Sequence, residues 1–187
     1  MSMSTQSLEQ LLADAELIHS EHDIQQALQH MAVKITQILS QKRPLVLCVM
    51  TGAVVFAGQL LPKLSFSMDF DYLHVTRYGN ALQGGEILWL VEPKENIKGR
   101  VVLVLDDILD HGNTLMAIRD KILERGATAF YSAVLVEKQG DFSKAIQADF
   151  VGLTVPDRYV FGFGMDIHGA WRNLPAIYAL VENKKNK

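Results

Sequence analysis

The chain is poor in cysteine and proline, with one and five respectively in 187 residues, and it carries no surplus of positive charge. A lone Cys48 cannot close an internal disulfide. Set inside the apolar run LVLCVM, it reads as a small core residue, because a reactive thiol needs an exposed, electropositive setting. A net charge of −3 argues against nonspecific nucleic-acid binding, which needs a basic surface. No apolar run approaches the roughly 18 residues of a membrane span. The opening MSMSTQSLEQ lacks the basic start and apolar block of a signal peptide. Repeats are absent, and no stretch is rich enough in Pro, Gly or Ser to split the chain. What is present, 49% apolar and 21% charged residues, suits one globular domain with a sizeable core. The expectation is a cytoplasmic protein whose partners are neither nucleic acid nor membrane.

Periodicity predicts helices alternating with strands, hence an α/β fold. A first helix is expected with Ser7 as its cap and Leu8, Leu11, Leu12 and Ala15 on one face. A second is expected with Asp23 as its cap and Ile24, Leu28, Met31, Ile35, Ile38 and Leu39 on one face. Strands are predicted at Leu45–Met50, Met68–Arg77, Ile87–Val91, Val101–Leu105, Ala129–Val136, Asp149–Thr154 and Tyr159–Phe163. A helix follows Thr51-Gly52-Ala53 and ends near Pro62-Lys63; another carries Leu115, Ile118 and Ile122 and stops at Gly126. Residues 78–85, YGNALQGG, have the composition of a mobile loop.

The segment VVLVLDDILDHGNTL, residues 101–115, carries the chemistry. Uninterrupted Val and Leu suit a strand buried on both faces of a parallel sheet. Ligands of such sheets bind beyond the strand carboxyl ends, where Asp106 and Asp107 are expected. Paired carboxylates there can hold ribose hydroxyls or a hydrated divalent cation. The turn of Asp110, His111, Gly112, Asn113 and Thr114 opens a helix, whose free N–H groups suit a phosphate.

This acidic pair and turn resemble the phosphoribosyl pyrophosphate signature of the purine phosphoribosyltransferases, and five segments in order from about Leu45 to Leu174 resemble the hypoxanthine-guanine branch. The resemblance implies a type I phosphoribosyltransferase fold, with a central, mainly parallel sheet flanked by helices and a small hood subdomain. One domain, 1–187, is expected, its core about 45–155 and its hood made of the N-terminal helices and about 156–180. The implied reaction moves 5-phosphoribosyl from phosphoribosyl pyrophosphate to hypoxanthine or guanine, forming IMP or GMP and releasing pyrophosphate. The implied cofactor is magnesium (Mg2+), and the implied assembly is a homodimer or homotetramer.

Residue by residue, the resemblance gives Asp106 and Asp107 the ribose hydroxyls and a place near magnesium. Asp110, His111, Gly112, Asn113 and Thr114 match the loop around the 5′-phosphate, and Asp110 also matches the catalytic group near purine N7. His111 departs from the Thr or Ser usual there, exchanging a hydroxyl for a titratable imidazole. Met50-Thr51-Gly52 matches a pyrophosphate turn holding a non-proline cis peptide; Thr51 stands where some relatives carry Lys. Arg77, Tyr78 and Gly79 match a lid that excludes water from the reacting centre. Lys138 matches the donor to the purine 6-oxo group, and Tyr159 and Val160 the pair that stacks on the base and reads its edge. Asp166 matches a second acidic position, near base, pyrophosphate and magnesium, and Arg172 the cation on the leaving pyrophosphate. Glu137, Asp157 and His168 read as neighbours without a specific role. The metal set is thus Asp106, Asp107 and Asp166, with few protein oxygens on the ion. Three other readings stand beside this one: a xanthine-preferring enzyme, a non-catalytic regulatory protein of the same fold, and a phospho-acceptor receiver domain suggested by the acidic pair alone.

Overall fold

In a computed structural model describing residues 5–77 and 87–181, helices and strands alternate along the chain. They are α1 (Thr5–Ala13), β1 (Glu16–His19), α2 (Glu21–Leu39), β2 (Leu45–Met50), α3 (Val54–Leu60), β3 (Asp69–Arg77), β4 (Ile87–Val91), β5 (Val101–Leu109), α4 (Asn113–Glu124), β6 (Ala129–Gln139), β7 (Phe150–Pro156), β8 (Val160–Phe161) and β9 (Ile177–Ala179). Tyr78 and Gly79, expected to begin a lid, lie outside the described residues.

Six strands form the main sheet in the order β4-β3-β2-β5-β6-β7, parallel except for the antiparallel edge strand β4. Val102, Val104 and Val134 pack on one face beneath Leu115, Ile118 and Ile122 of α4. Leu103, Leu105 and Leu135 pack on the other against α2 and α3. Strand alternation produces this division, and it explains why β5 is apolar without a break: both faces are covered. Leu103 is fully buried, so truncating it to Ala would cost roughly 2–5 kcal/mol.

The chain moves from β2 outward to β3 and β4 on one side, and from β5 outward to β6 and β7 on the other. The carboxyl ends of β2 and β5 therefore flank a topological switch point, the usual ligand crevice of such sheets. The β2–β5 ladder stops at Cys48 and Leu105, yet β5 stays paired with β6 as far as Leu109 and Glu137. Asp106 and Asp107 thus lie within the strand, at the place where β2 has turned away, and not past its end as expected.

A small antiparallel sheet, β1-β9-β8, makes the hood. The sequence reading missed β1 and β9, which have four and three residues and little periodicity of their own. The apolar stripe of α2 shares one core with Val46, Leu135 and Phe150 of the main sheet and with Val160, Ile177 and Ala179 of the small one, while β1 belongs to the small sheet. Cap assignments shift as well. Ser20, not Asp23, caps α2: its side chain accepts from the Asp23 N–H, and Asp23 accepts from the Ser20 N–H at 2.9 Å in a reciprocal capping box. Ser7 lies inside α1 rather than before it. No helix among the described residues is long and apolar enough to cross a membrane.

Candidate active site

The turn after β2 and the end of β5 meet at Gly52 and Asp107. A Cβ built on Gly52 would run into the Asp107 carboxylate, so glycine is needed for space. The peptide bond Met50–Thr51 is cis, as the resemblance implied. From the hood, Gly164 packs equally closely on the carbonyl oxygen of Gly52; its φ of 103° also favours glycine. Body and hood therefore touch through backbone at the turn after β2. The sequence reading missed Gly164, although the glycines in Phe161-Gly162-Phe163-Gly164 were a signal that backbone approaches backbone here.

Where β2 no longer pairs with β5, side chains satisfy the backbone. The Asp107 N–H donates to Asp106 Oδ1 and the Ile108 N–H to Asp107 Oδ1, both at 3.0 Å. Burial raises the Asp106 pKa well above the ordinary carboxylate value, and the charge of Asp107 adds to the shift. Asp107 is raised too, chiefly by burial, although its hydrogen bonds and Arg172 oppose the effect. Burial, with the same two carboxylates, pushes the Cys48 thiol up to about 12, consistent with its reading as a core residue.

Past Leu109 the chain turns through Asp110, His111 and Gly112 into α4. Gly112 takes a φ of 81° at the N-cap and lies against Ile146. The helix begins at Asn113, and Gly112 and Thr114 on either side of it line the crevice. The segment after β6 holds this turn from behind: the Ala145 N–H donates to the His111 carbonyl at 2.9 Å. The His111 ring rests on Phe142, with centroids 4.4 Å apart.

Two adjoining cavities result. One, about 270 Å³, is lined by Gly52, Asp106, Asp107, Asp110, Gly112 and Thr114. The other, about 220 Å³, is lined by Asp107, Asp110, Lys138, Tyr159, Val160 and Asp166. Asp107, Ile108 and Asp110 belong to both, so the two are compartments of one cleft. In the second, Lys138 Nζ lies 3.4 Å from Asp110 Oδ2 and 3.7 Å from Asp157 Oδ1. Asp157, a neighbour without a specific role by sequence, meets Lys138 because folding brings β6 and the β7–β8 turn together. Val160 is buried in β8, while Tyr159 is half exposed and donates its hydroxyl to the Asp166 carbonyl at 3.1 Å. Partial burial and Asp166 raise the Tyr159 phenol pKa.

Asp166 is held differently from the acidic pair. Its carboxylate accepts from Arg172 Nη2 at 2.6 Å and from the Gly169 N–H at 2.8 Å. Arg172 Nη1 also donates to the Gly164 carbonyl at 2.7 Å. Gly52, Asp106, Asp107, Asp110, His111, Gly112 and Thr114 line the first compartment and Lys138, Tyr159, Val160 and Asp166 the second; Arg172 meets the cleft through Asp166, while Thr51 and Asn113 line neither compartment. For Arg77 only the backbone, ending β3, is described. No three His, Cys, Asp or Glu side chains converge as a metal cage among the described residues. An ion here would take most of its ligands from water and substrate, as magnesium does.

The geometry has relatives. A family described as the phosphoribosyl transferase domain matches residues 14–168. The hypoxanthine-guanine-xanthine phosphoribosyltransferase of Tritrichomonas foetus is 33% identical over 168 residues, 89% of this chain and 92% of that protein. The hypoxanthine-guanine phosphoribosyltransferase of Streptococcus thermophilus is 33% identical over 92% of this chain and 96% of its own length. A solved hypoxanthine phosphoribosyltransferase from Staphylococcus aureus matches with a TM-score of 0.86 at 25% identity, over 95% of this chain and 97% of that one. The chain belongs to the phosphoribosyltransferase family, as a purine phosphoribosyltransferase similar to the bacterial hypoxanthine-guanine enzymes.

Proposed function

We propose that the protein transfers 5-phosphoribosyl from phosphoribosyl pyrophosphate to hypoxanthine and/or guanine, releasing pyrophosphate. The observation that carries this reading is the shared wall of Asp107 and Asp110 between the two compartments. One compartment joins buried carboxylates to a helix N-terminus, which suits ribose hydroxyls and a 5′-phosphate. The other offers a primary ammonium, an aromatic ring and an apolar strand, which suit a flat base with a carbonyl. A sugar in the first would present C1′ to a base in the second.

Each residue then has a task. The ribose hydroxyls lie against Asp106 and Asp107, and the phosphate takes the N–H groups at Gly112–Thr114. Lys138 donates to the purine 6-oxo group, the Tyr159 ring stacks on the base, and Asp110 holds or takes the N7 proton. As the C1′–O bond breaks, the backbone N–H groups at Thr51-Gly52 and Arg172 stabilise charge gathering on pyrophosphate. Positive charge on the ribose is met by the buried carboxylates. Asp106 and Asp107 fit magnesium: they are oxygen donors, one buried and one half-buried, with raised pKa values and no ion-pair partner among the described residues. Bound there with substrate oxygens, magnesium would neutralise the pyrophosphate as it leaves. Asp166, tied to Arg172, would reach the ion through water. We read the working form as a cytoplasmic homodimer or homotetramer, which sedimentation measures directly.

The test is steady-state turnover with phosphoribosyl pyrophosphate and magnesium, with hypoxanthine, guanine and xanthine competing at equal concentration. Nucleotide formed from the first two supports the reading. Preference for xanthine moves the chain to the alternative specificity, and no nucleotide from any base overturns the enzymatic reading.

A further inference from the structure

Asp110 divides its carboxylate oxygens between two neighbours. Oδ2 faces Lys138 at 3.4 Å, on the base side of the cleft. Oδ1 is turned inward, the one buried side-chain oxygen or nitrogen among the described residues that lacks a hydrogen bond. A buried acceptor left unpaired is costly, and such an atom points to a missing donor. His111 Nε2 stands 3.9 Å from it, within ion-pair range but about 1 Å beyond a hydrogen bond.

The imidazole is not free to wander. Phe142 supports its ring, and the Ala145 N–H ties its backbone to the same segment. Lys144 in turn lies over Phe142, 5.3 Å from the ring centre, and 3.7 Å from Glu137 Oε1. His111 is thus held through both its ring and its backbone by the segment that carries Phe142 and Ala145. An imidazole also carries its Nε2 donor farther from the backbone than the hydroxyl of Thr or Ser could reach.

We infer that His111 is the positioning residue of Asp110. Its Nε2–H donates to Oδ1, fixing the plane of the carboxyl group so that Oδ2, beside Lys138, faces the N7 edge of the base. The inference rests on the phosphoribosyl-transfer reading, because that reading gives Asp110 its work at N7. It makes the His111–Asp110 pair a local solution of this chain, built on the Phe142 segment. His111 then acts on the base side of the cleft and leaves the 5′-phosphate to backbone N–H groups.

Two substitutions separate donor from ring. His111→Phe keeps the ring on Phe142 and removes the N–H; His111→Gln keeps an N–H donor of similar reach and removes the ring. The expected result is a kcat about tenfold lower for the Phe variant. Its KM for phosphoribosyl pyrophosphate stays within about twofold, and the Gln variant recovers most of the loss. Equal losses in both, or no loss in the Phe variant, would overturn the inference in favour of packing. A raised KM with unchanged kcat would overturn it in favour of a phosphate contact. NMR of 15N-histidine-labelled protein supplies a measurement independent of turnover. A slowly exchanging His111 Nε2–H is expected in the wild type and lost in Asp110→Ala, whereas fast exchange in the wild type rejects the contact. Wild-type protein that forms no nucleotide yet shows the protected N–H would bring down the functional reading alone.

Discussion

The two acidic positions of the cleft are built in opposite ways. Asp106 and Asp107 sit in the body, the first buried and the second half-buried, neither ion-paired to a side chain among the described residues. Asp166 sits in the hood, neutralised by Arg172 and fixed by the Gly169 N–H. The first site stores an electrostatic demand that a ligand must meet; the second is already satisfied and serves as a preformed surface. The protein thus concentrates its need for positive charge at the carboxyl end of β5, where a cation and ribose hydroxyls are proposed to bind.

Removing charge from the demanding site has the largest expected effect. Asp106→Asn should lower kcat/KM about a hundred- to a thousandfold. The same variant should be more stable than the wild type without ligand. A carboxyl whose folded pKa lies above its unfolded value contributes stability that is full below the unfolded pKa and lost as pH rises through the folded pKa. The wild type therefore loses stability above about pH 4 as this group is forced to ionise. Thermal melts should show the variant ahead at pH 7 to 8, by about 2–4 °C for each kcal/mol relieved. The gap should close as pH approaches the unfolded pKa. A variant less stable than the wild type at pH 8 would break the contrast.

Gly52→Ala comes next, because its Cβ must displace the Asp107 carboxylate. A shift of an ångström at the reacting centre costs on the order of a hundredfold in turnover. Gly58→Ala is the matched control: it lies in α3 with open space at its Cβ, and turnover should not change. On the base side, Lys138→Ala should reduce kcat/KM for 6-oxopurines about 30- to 100-fold, the value of a charged hydrogen bond to a desolvated carbonyl. Unchanged kinetics would remove Lys138 from the base site. Asp166→Asn should have the smallest effect, about threefold to tenfold on KM for phosphoribosyl pyrophosphate, since a half-exposed ion pair is partly screened by water. A loss there equal to that of Asp106→Asn would erase the distinction between the two sites.

Much of this arrangement is legible in residue order. Apolar runs bounded by turn residues give β2 and β4 to the residue, and the spacing of Leu115, Ile118 and Ile122 gives the buried face of α4. Illegible were elements whose conformation is dictated by a distant partner. β1 and β9 are strands because they pair with each other, Leu17 opposite Tyr178. The extension of β5 to Leu109 depends on β6, which continues beside it after β2 has left. Asp157 joined the site because the end of β7 returns it to Lys138.

By itself the sequence determined the buried parallel strand, the acidic pair near its end, the glycine turns and the helix that follows. These are local properties, set by side-chain period, backbone freedom and hydrogen-bonding groups within a few residues. Only the tertiary structure decided which carboxylates lie in the cleft without an ionic partner and which are paired, and which oxygen of Asp110 is orphaned. It also turned the one unusual residue, His111, toward that oxygen. Burial and distance belong to the packed arrangement of several elements, and no short stretch of sequence contains them.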